Sequence, residues 1–152
     1  EDNVELLLER GKKYVAEKEY KKARQDYFKL IELTPDNAVP FFLLAELFSQ
    51  KLKDNRKALT YYSQAIDRDK GKRNYYFKRG LIYFHQQEYE PAKTDFDAAL
   101  NLSRDDGQIL YYRGYCNQKL GHKEQAIEDY LRAKELAPSW TDAVNGLLQQ
   151  MM

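Results

Sequence analysis

Two histidines, His85 and His122, and one cysteine, Cys116, are the side chains most suited to metal ligation or thiol chemistry. Their spacing forms neither a CxxC nor an HExxH arrangement, so no metal site is expected. Cys116 and His122 are six residues apart, about 240° around an ideal helix, so a nucleophile and its base cannot be assembled locally from them. Cys116 therefore reads as a structural thiol. The neighbouring carboxylates, Asp95 with Asp97 and Glu5 with Glu9, lack the apolar surroundings that raise a carboxyl pKa for acid–base work and read as solvated helix faces. No glycine-rich loop follows a strand pattern, so no phosphate cradle is expected either. The chain reads as non-enzymatic, with no cofactor.

Two basic stretches, KEYKKAR at 18–24 and DRDKGKR at 67–73, are interleaved with Glu19, Asp67 and Asp69. With 25 lysines and arginines against 24 acidic residues the formal net charge is +1, so no long-range field draws the chain to nucleic acid or to an anionic membrane. The longest apolar run, FFLL at 41–44, falls far short of the roughly 20 residues that span a bilayer, and no signal pattern is present, so no direct membrane insertion is expected. The single cysteine excludes an internal disulfide framework and favours a reducing, cytoplasmic setting, while a periplasmic one stays open. The sequence begins at Glu1 and not at methionine, from which a trimmed piece of a longer chain, with any anchor upstream, is expected.

The elements that must position these residues follow from an internal repeat. YYRGYCNQKLGHKEQAIEDYLRAKELAP, residues 111–138, shifted back by 34 places lands on FKRGLIYFHQQEYEPAKTDFDAALNLSR. Arg113 falls on Arg79, Gly114 on Gly80, Ala126 on Ala92, Asp129 on Asp95 and Ala133 on Ala99. Periods of this length signal stacked units, and four result: 4–37, 38–72, 73–106 and 107–140. Each holds two apolar patterns at helical spacing around a short polar turn, hence a helical hairpin. Glycine within a helix costs about 1 kcal/mol relative to alanine; its recurrence implies close approach of two helices, read as glycine opposite alanine. One hairpin cannot bury its apolar face alone, whereas four in register share a core.

The repeated positions resemble the tetratricopeptide repeat family over residues 4 to 140. The small residue of the first helix is Gly11, Ala45, Gly80 and Gly114, with Leu7, Phe41, Tyr76 and Leu110 four places before it. The second helix repeats Ala23, Ala58, Ala92 and Ala126, each followed at four residues by Tyr27, Tyr62, Phe96 and Tyr130. Pro35 and Pro138 terminate units. The resemblance implies an all-α, right-handed superhelical solenoid of four helix-turn-helix repeats in a single domain over 1–152, closed by a capping helix at 140–152. Its stripe is Trp140, Ala143, Val144, Leu147, Leu148 and Met151, with Ser139 and Asp142 suiting its start. Arg10, Arg79 and Arg113 stand where the family often has leucine, and Asn117 replaces an aromatic. One extra residue near KLKDN is expected to lengthen the inter-helix turn of the second hairpin.

The resemblance also implies a function: a protein-interaction scaffold whose groove, on the first helix of each hairpin, takes a peptide or helix of another protein. Carried over position by position, the groove comprises Lys12, Phe42, Phe77, Lys78, Phe84, Tyr111, Tyr112, Tyr115 and Lys119. Tyr14, Tyr27, Tyr62, Tyr76, Tyr83 and Tyr130 hold repeat-defining positions and are assigned to packing. For Tyr111, Tyr112 and Tyr115 both ligand contact and packing stay open. One branch of the family grips chaperone C-termini through cations and asparagines; those places here hold Leu8, Lys12, Leu43, Asn74 and Lys78, so a chaperone-tail clamp is not expected. Two alternatives remain: self-assembly through the leucine-rich N-terminal edge, where Leu6 and Leu8 lack a covering helix, and a regulatory domain of a larger protein.

Overall fold

The structure is a computed structural model and describes residues 3–152; the first two residues of the expected domain lie outside it. Among the described residues there are nine α-helices and no strand. They are α1 (Val4–Ala16), α2 (Tyr20–Leu33), α3 (Ala38–Glu46), α4 (Asn55–Arg68), α5 (Arg73–His85), α6 (Tyr89–Leu102), α7 (Gly107–Lys119), α8 (Lys123–Leu136) and α9 (Thr141–Met151). Two compact units divide between Lys70 and Gly71. In the first, α1 pairs with α2 and α3 with α4; in the second, α5 pairs with α6 and α7 with α8, and α9 packs on α8. None of the described helices is long and apolar enough to cross a membrane.

The hairpins begin as their sequences direct. Asn3, Asn37 and Asp106 precede α1, α3 and α7, and each side chain accepts hydrogen bonds from backbone amides of the first turn, which satisfies donors that have no intrahelical partner. Inside each hairpin the chain reverses through a left-handed residue: Lys18 (φ 62°), Lys53 (56°), Gln87 (62°) and Gly121 (83°).

The extra residue of the second hairpin does not lengthen that turn. It enters the end of the preceding helix, where Leu47–Lys51 forms a π-helical turn. Asp54 N–H donates to Phe48 O, six residues back, whereas Glu19, Glu88 and His122 donate to Tyr14, Tyr83 and Asn117, five back. A wider helical ring absorbs one residue without an unpaired amide, so the turn keeps its geometry.

The repeated glycines face aromatic rings and not alanines. A Cβ on Gly11 would lie 2.5 Å from Tyr27 Cε1, on Gly80 2.8 Å from Phe96 Cε1, and on Gly114 2.9 Å from Tyr130 Cδ1. Tyr27, Tyr62, Phe96 and Tyr130 are all buried, so each hairpin closes on one ring from its second helix. Tyr14, Tyr76 and Tyr83, also assigned to packing, are half-buried.

The arginines that depart from the family pattern have a shared explanation. Arg10 meets Asp26, Arg79 meets Asp95 and Arg113 meets Asp129, always across sixteen residues, with Nε and Nη2 donating to the two carboxylate oxygens at 2.6–2.9 Å. Such forked pairs are strong and directional. In the second hairpin the corresponding positions are Leu44, fully buried, and Tyr61, whose ring stacks on Phe48 at 5.5 Å. Apolar and aromatic side chains thus stand there in place of the ionic pair. Asn117 is explained by the same network: buried, it donates to Asp129 Oδ2 at 3.0 Å.

At the C-terminus a 3-10 turn, Pro138–Trp140, precedes α9. The helix starts at Thr141 without a side-chain cap, so the Ser139 and Asp142 signal expected there is not used. Val144 is buried against Ala126 and Tyr130, with Trp140, Leu147, Leu148 and Met151 packed around it.

Candidate functional site

In the second unit α5 and α7 touch, and both bring aromatic side chains to one place. The Phe84 ring meets Tyr112 at 4.9 Å and Tyr115 at 5.2 Å, edge to face. Phe77 lies 6.1 Å from Tyr112, and Tyr111 lies 5.5 Å from Tyr112. Edge-to-face pairs of this kind each add about 0.5–1.5 kcal/mol beyond area burial. Lys119 holds its ammonium 5.3 Å from the centroid of Tyr115. Thus Phe77, Phe84, Tyr111, Tyr112, Tyr115 and Lys119 form one connected panel, with Lys78 half-buried on α5 beside Phe77.

Two further members were not anticipated. Trp140 packs on Tyr111 at 4.4 Å and on Tyr112 at 6.1 Å, and Tyr89, at the start of α6, meets Phe84 and Tyr115. Trp140 could have been found from its place directly after the end of the fourth hairpin on the α9 apolar stripe. The rings are half-buried, not enclosed, so their packing and an open face coexist. Burial also raises the Tyr111 hydroxyl above its ordinary pKa.

Lys12 and Phe42 belong to the first unit. Lys12 donates to Glu9 at 2.9 Å, and Phe42 is half-buried with its ring 5.9 Å from Tyr62. On the same helix as Phe42, Glu46 accepts from the Tyr62 hydroxyl and, at 2.5 Å, from Gln50.

The residues weighed for chemistry are placed otherwise. Cys116 is fully buried, and burial pushes its thiol up to about 12, so at neutral pH it is an inert thiol. His122 Nδ1 is 3.4 Å from Asn117 Oδ1. Asp95 does not lie on the solvated face expected of it: it is buried against Arg79, and burial raises its carboxyl, whereas the more open Asp97 meets Arg113. Among the described residues no group of three histidines, cysteines or carboxylates is arranged to hold a metal ion.

The pattern that defines tetratricopeptide repeats matches residues 74–106 and 107–140. The third and fourth hairpins are tetratricopeptide repeats. The first two keep the same small residue, aromatic and turn positions. Serine/threonine-protein phosphatase 5 of Mus musculus is 33% identical over 93 residues, which cover 61% of this chain and 19% of that protein. The chain thus spans about a fifth of the length of the curated relatives it matches first. Among solved structures, MamA superposes with a TM-score of 0.86 at 19% identity, covering 97% of this chain and 81% of MamA. The first tetratricopeptide repeat domain of Spaghetti (RPAP3), solved bound to the HSP90 peptide SRMEEVD, gives a TM-score of 0.69 at 25% identity, covering 78% and 93% of the two chains. Apart from Tyr89 and Trp140, the aromatic panel lies on the first helices of the two matched tetratricopeptide repeats.

Proposed function

We propose that this stretch of chain is a non-catalytic interaction scaffold that holds a peptide or helix of another protein against the panel on α5 and α7. The observation that carries the reading is the panel itself: five aromatic rings on two adjacent helices, half-buried and mutually supported, with a lysine at its margin. Tyrosine and phenylalanine offer large contact area with little rotamer entropy to lose, and rings already locked by their neighbours leave most of the ordering cost to the partner. A related fold solved with a bound peptide supports the reading. Lys12 and Phe42 are proposed as groove contacts of the first unit, taken by itself.

The test is affinity capture from lysate with three versions of the protein. The unaltered chain should retain a partner. Tyr112→Ala with Tyr115→Ala should lose it, and so should Lys78→Ala with Lys119→Ala, which spares the packed rings; each variant is checked for unchanged helicity and melting. Equal retention by all three would place the binding surface elsewhere.

Self-association is the second reading, favoured by Leu6, 62% exposed on α1 beside exposed Val4. A mass that rises with concentration, and falls back when Leu6→Glu is introduced, would select it. The short span relative to phosphatase 5 equally suits a regulatory segment of a longer protein.

A further inference from the structure

Two helices of the second unit are free of acidic residues, while α6 and α8 carry both signs. Neither α5 nor α7 contains an aspartate or glutamate; both carry only Arg73, Lys78, Arg79, Arg113, Lys119 and His85. The arginines turn to carboxylates supplied from elsewhere: Arg73 to Asp106, Arg79 to Asp95, Arg113 to Asp129 and Asp97. Lys119 rests on a ring. His85, exposed at the end of α5, has its ring 5.5 Å from Phe84. Phe84 in turn meets Tyr115 at 5.2 Å, and Lys119 sits over Tyr115 at 5.3 Å. The ring contacts therefore run unbroken from His85 through Phe84 and Tyr115 to Lys119, with a carboxylate-binding side chain at each end and apolar faces between.

We propose that this panel takes an internal acidic segment of a partner polypeptide, its carboxylates meeting Lys119 and His85 and an apolar side chain between them resting on Phe84 and Tyr115. The proposal rests on the groove reading above and adds the chemistry of the occupant. Three steps of little over 5 Å, laid end to end, need at most about five residues of extended chain at about 3.3–3.6 Å each, so two acidic residues flanking one or two apolar residues fit within the length. With acidic groups confined to other elements, a carboxylate approaching α5 and α7 meets no like charge on them, and a cationic segment finds no partner on these two helices. A single-stranded nucleic acid fits less well. Bases stack on open ring faces, but Phe84 meets Tyr112 and Tyr115 edge to face at 78° and 66°, and a net charge of +1 supplies no field for a phosphate chain.

The experiment is fluorescence anisotropy with three short, C-terminally amidated peptides that share a leucine and phenylalanine core and differ only in having glutamate, glutamine or lysine around it. An oligothymidylate serves as the nucleic-acid probe. The glutamate peptide should bind at least about tenfold more tightly than the lysine peptide, and its affinity should fall as salt screens the contact. Reversing both ends, Lys119→Glu with His85→Glu, touches only exposed side chains and should weaken the glutamate peptide by about tenfold or more while the lysine peptide gains. Amidation removes the terminal carboxylate, so binding of the amidated peptide separates an internal acidic motif from a tail clamp. Equal affinity for the three peptides, indifference to the double reversal, no binding of the glutamate peptide, or its displacement by oligothymidylate would each overturn the proposal. If a lysate partner is still captured through Tyr112 and Tyr115 in that case, the groove reading survives and only the acidic occupant falls.

Discussion

Asp95 is nearly sealed from solvent and Arg79 is about a fifth exposed, so their pair stands where desolvation and attraction are both large. Burial pushes the Asp95 carboxyl above its ordinary value while the guanidinium pulls it back, and Arg79 is itself held above its ordinary value by the hydrogen bonds it donates to Asp95. Removing one partner of such a pair leaves an uncompensated buried charge and costs about 3–5 kcal/mol, whereas an apolar pair of similar size is close to neutral. The second hairpin already makes that exchange with Leu44 and Tyr61. Asp95→Ala is therefore expected to lower stability by about 3 kcal/mol, and Arg79→Leu with Asp95→Tyr by no more than about 1 kcal/mol, measured by denaturant unfolding. A double replacement as damaging as the single one would mean that the third hairpin needs the ionic geometry itself. These pairs were written in the sequence as recurrent arginine and aspartate but could not be read from helical periodicity. Periodicity reports which face of one helix is apolar, and the partner sixteen residues on lies across the turn. The aromatic panel was legible for a related reason in reverse: Phe77, Phe84, Tyr111, Tyr112 and Tyr115 share positions on first helices, while Trp140 belongs to an element outside the period.

At the scale of the helix, the second hairpin shows how one surplus residue is accommodated. The turn residues Lys18, Lys53, Gln87 and Gly121 all adopt the same left-handed conformation, which fixes the entry of each second helix and resists insertion. The helix end does not resist, because its last carbonyls have no fixed partners. Deleting the exposed Lys51 should restore the spacing of the other hairpins and return Leu47–Lys51 to an α-helical turn. Helicity should be retained, the melting temperature should be unchanged or higher, and the amides of Leu52 and Asp54 should exchange with solvent more slowly. A large loss of stability would show that the π turn is required by what packs on Phe48. The four hairpins themselves followed from the period and from small residues at fixed offsets. Where the surplus residue went did not, since a turn and a helix end are equally polar in sequence and differ only in backbone freedom. Nor did the ring beneath each glycine, because opposing alanine and opposing aromatic both demand a missing side chain.

For the molecule as a whole, three buried phenols, together with the buried Cys116 thiol, lower its stability in alkali. Tyr27 is pushed up to about 12 from 10.0, by burial first and by Asp26 second; Tyr62 and Tyr130 are raised further, again mainly by burial. The folded chain thus holds these protons more tightly than the unfolded chain does. Their contribution to stability is complete below about pH 10, the value of a free phenol, and declines as pH rises through that value toward the folded ones. Each phenol adds a loss of up to about 1.4 kcal/mol per pH unit in that window. Denaturant unfolding at stepped alkaline pH should show this decline, and the phenolate absorbance of the three should emerge together with loss of helicity. Smooth titration of all thirteen tyrosines in a chain that stays helical would contradict it. The sixteen-residue reach of the Arg–Asp pairs carries a last consequence, for how such a chain can change in length. Each forked pair closes inside its own hairpin, while the single bond from Arg113 to Asp97 crosses from the fourth hairpin to the third, so a duplication or deletion cut between hairpins moves both ends of each forked lock together. Copy number can drift by whole periods without stranding those aspartates, and a cut inside a hairpin carries the penalty at once.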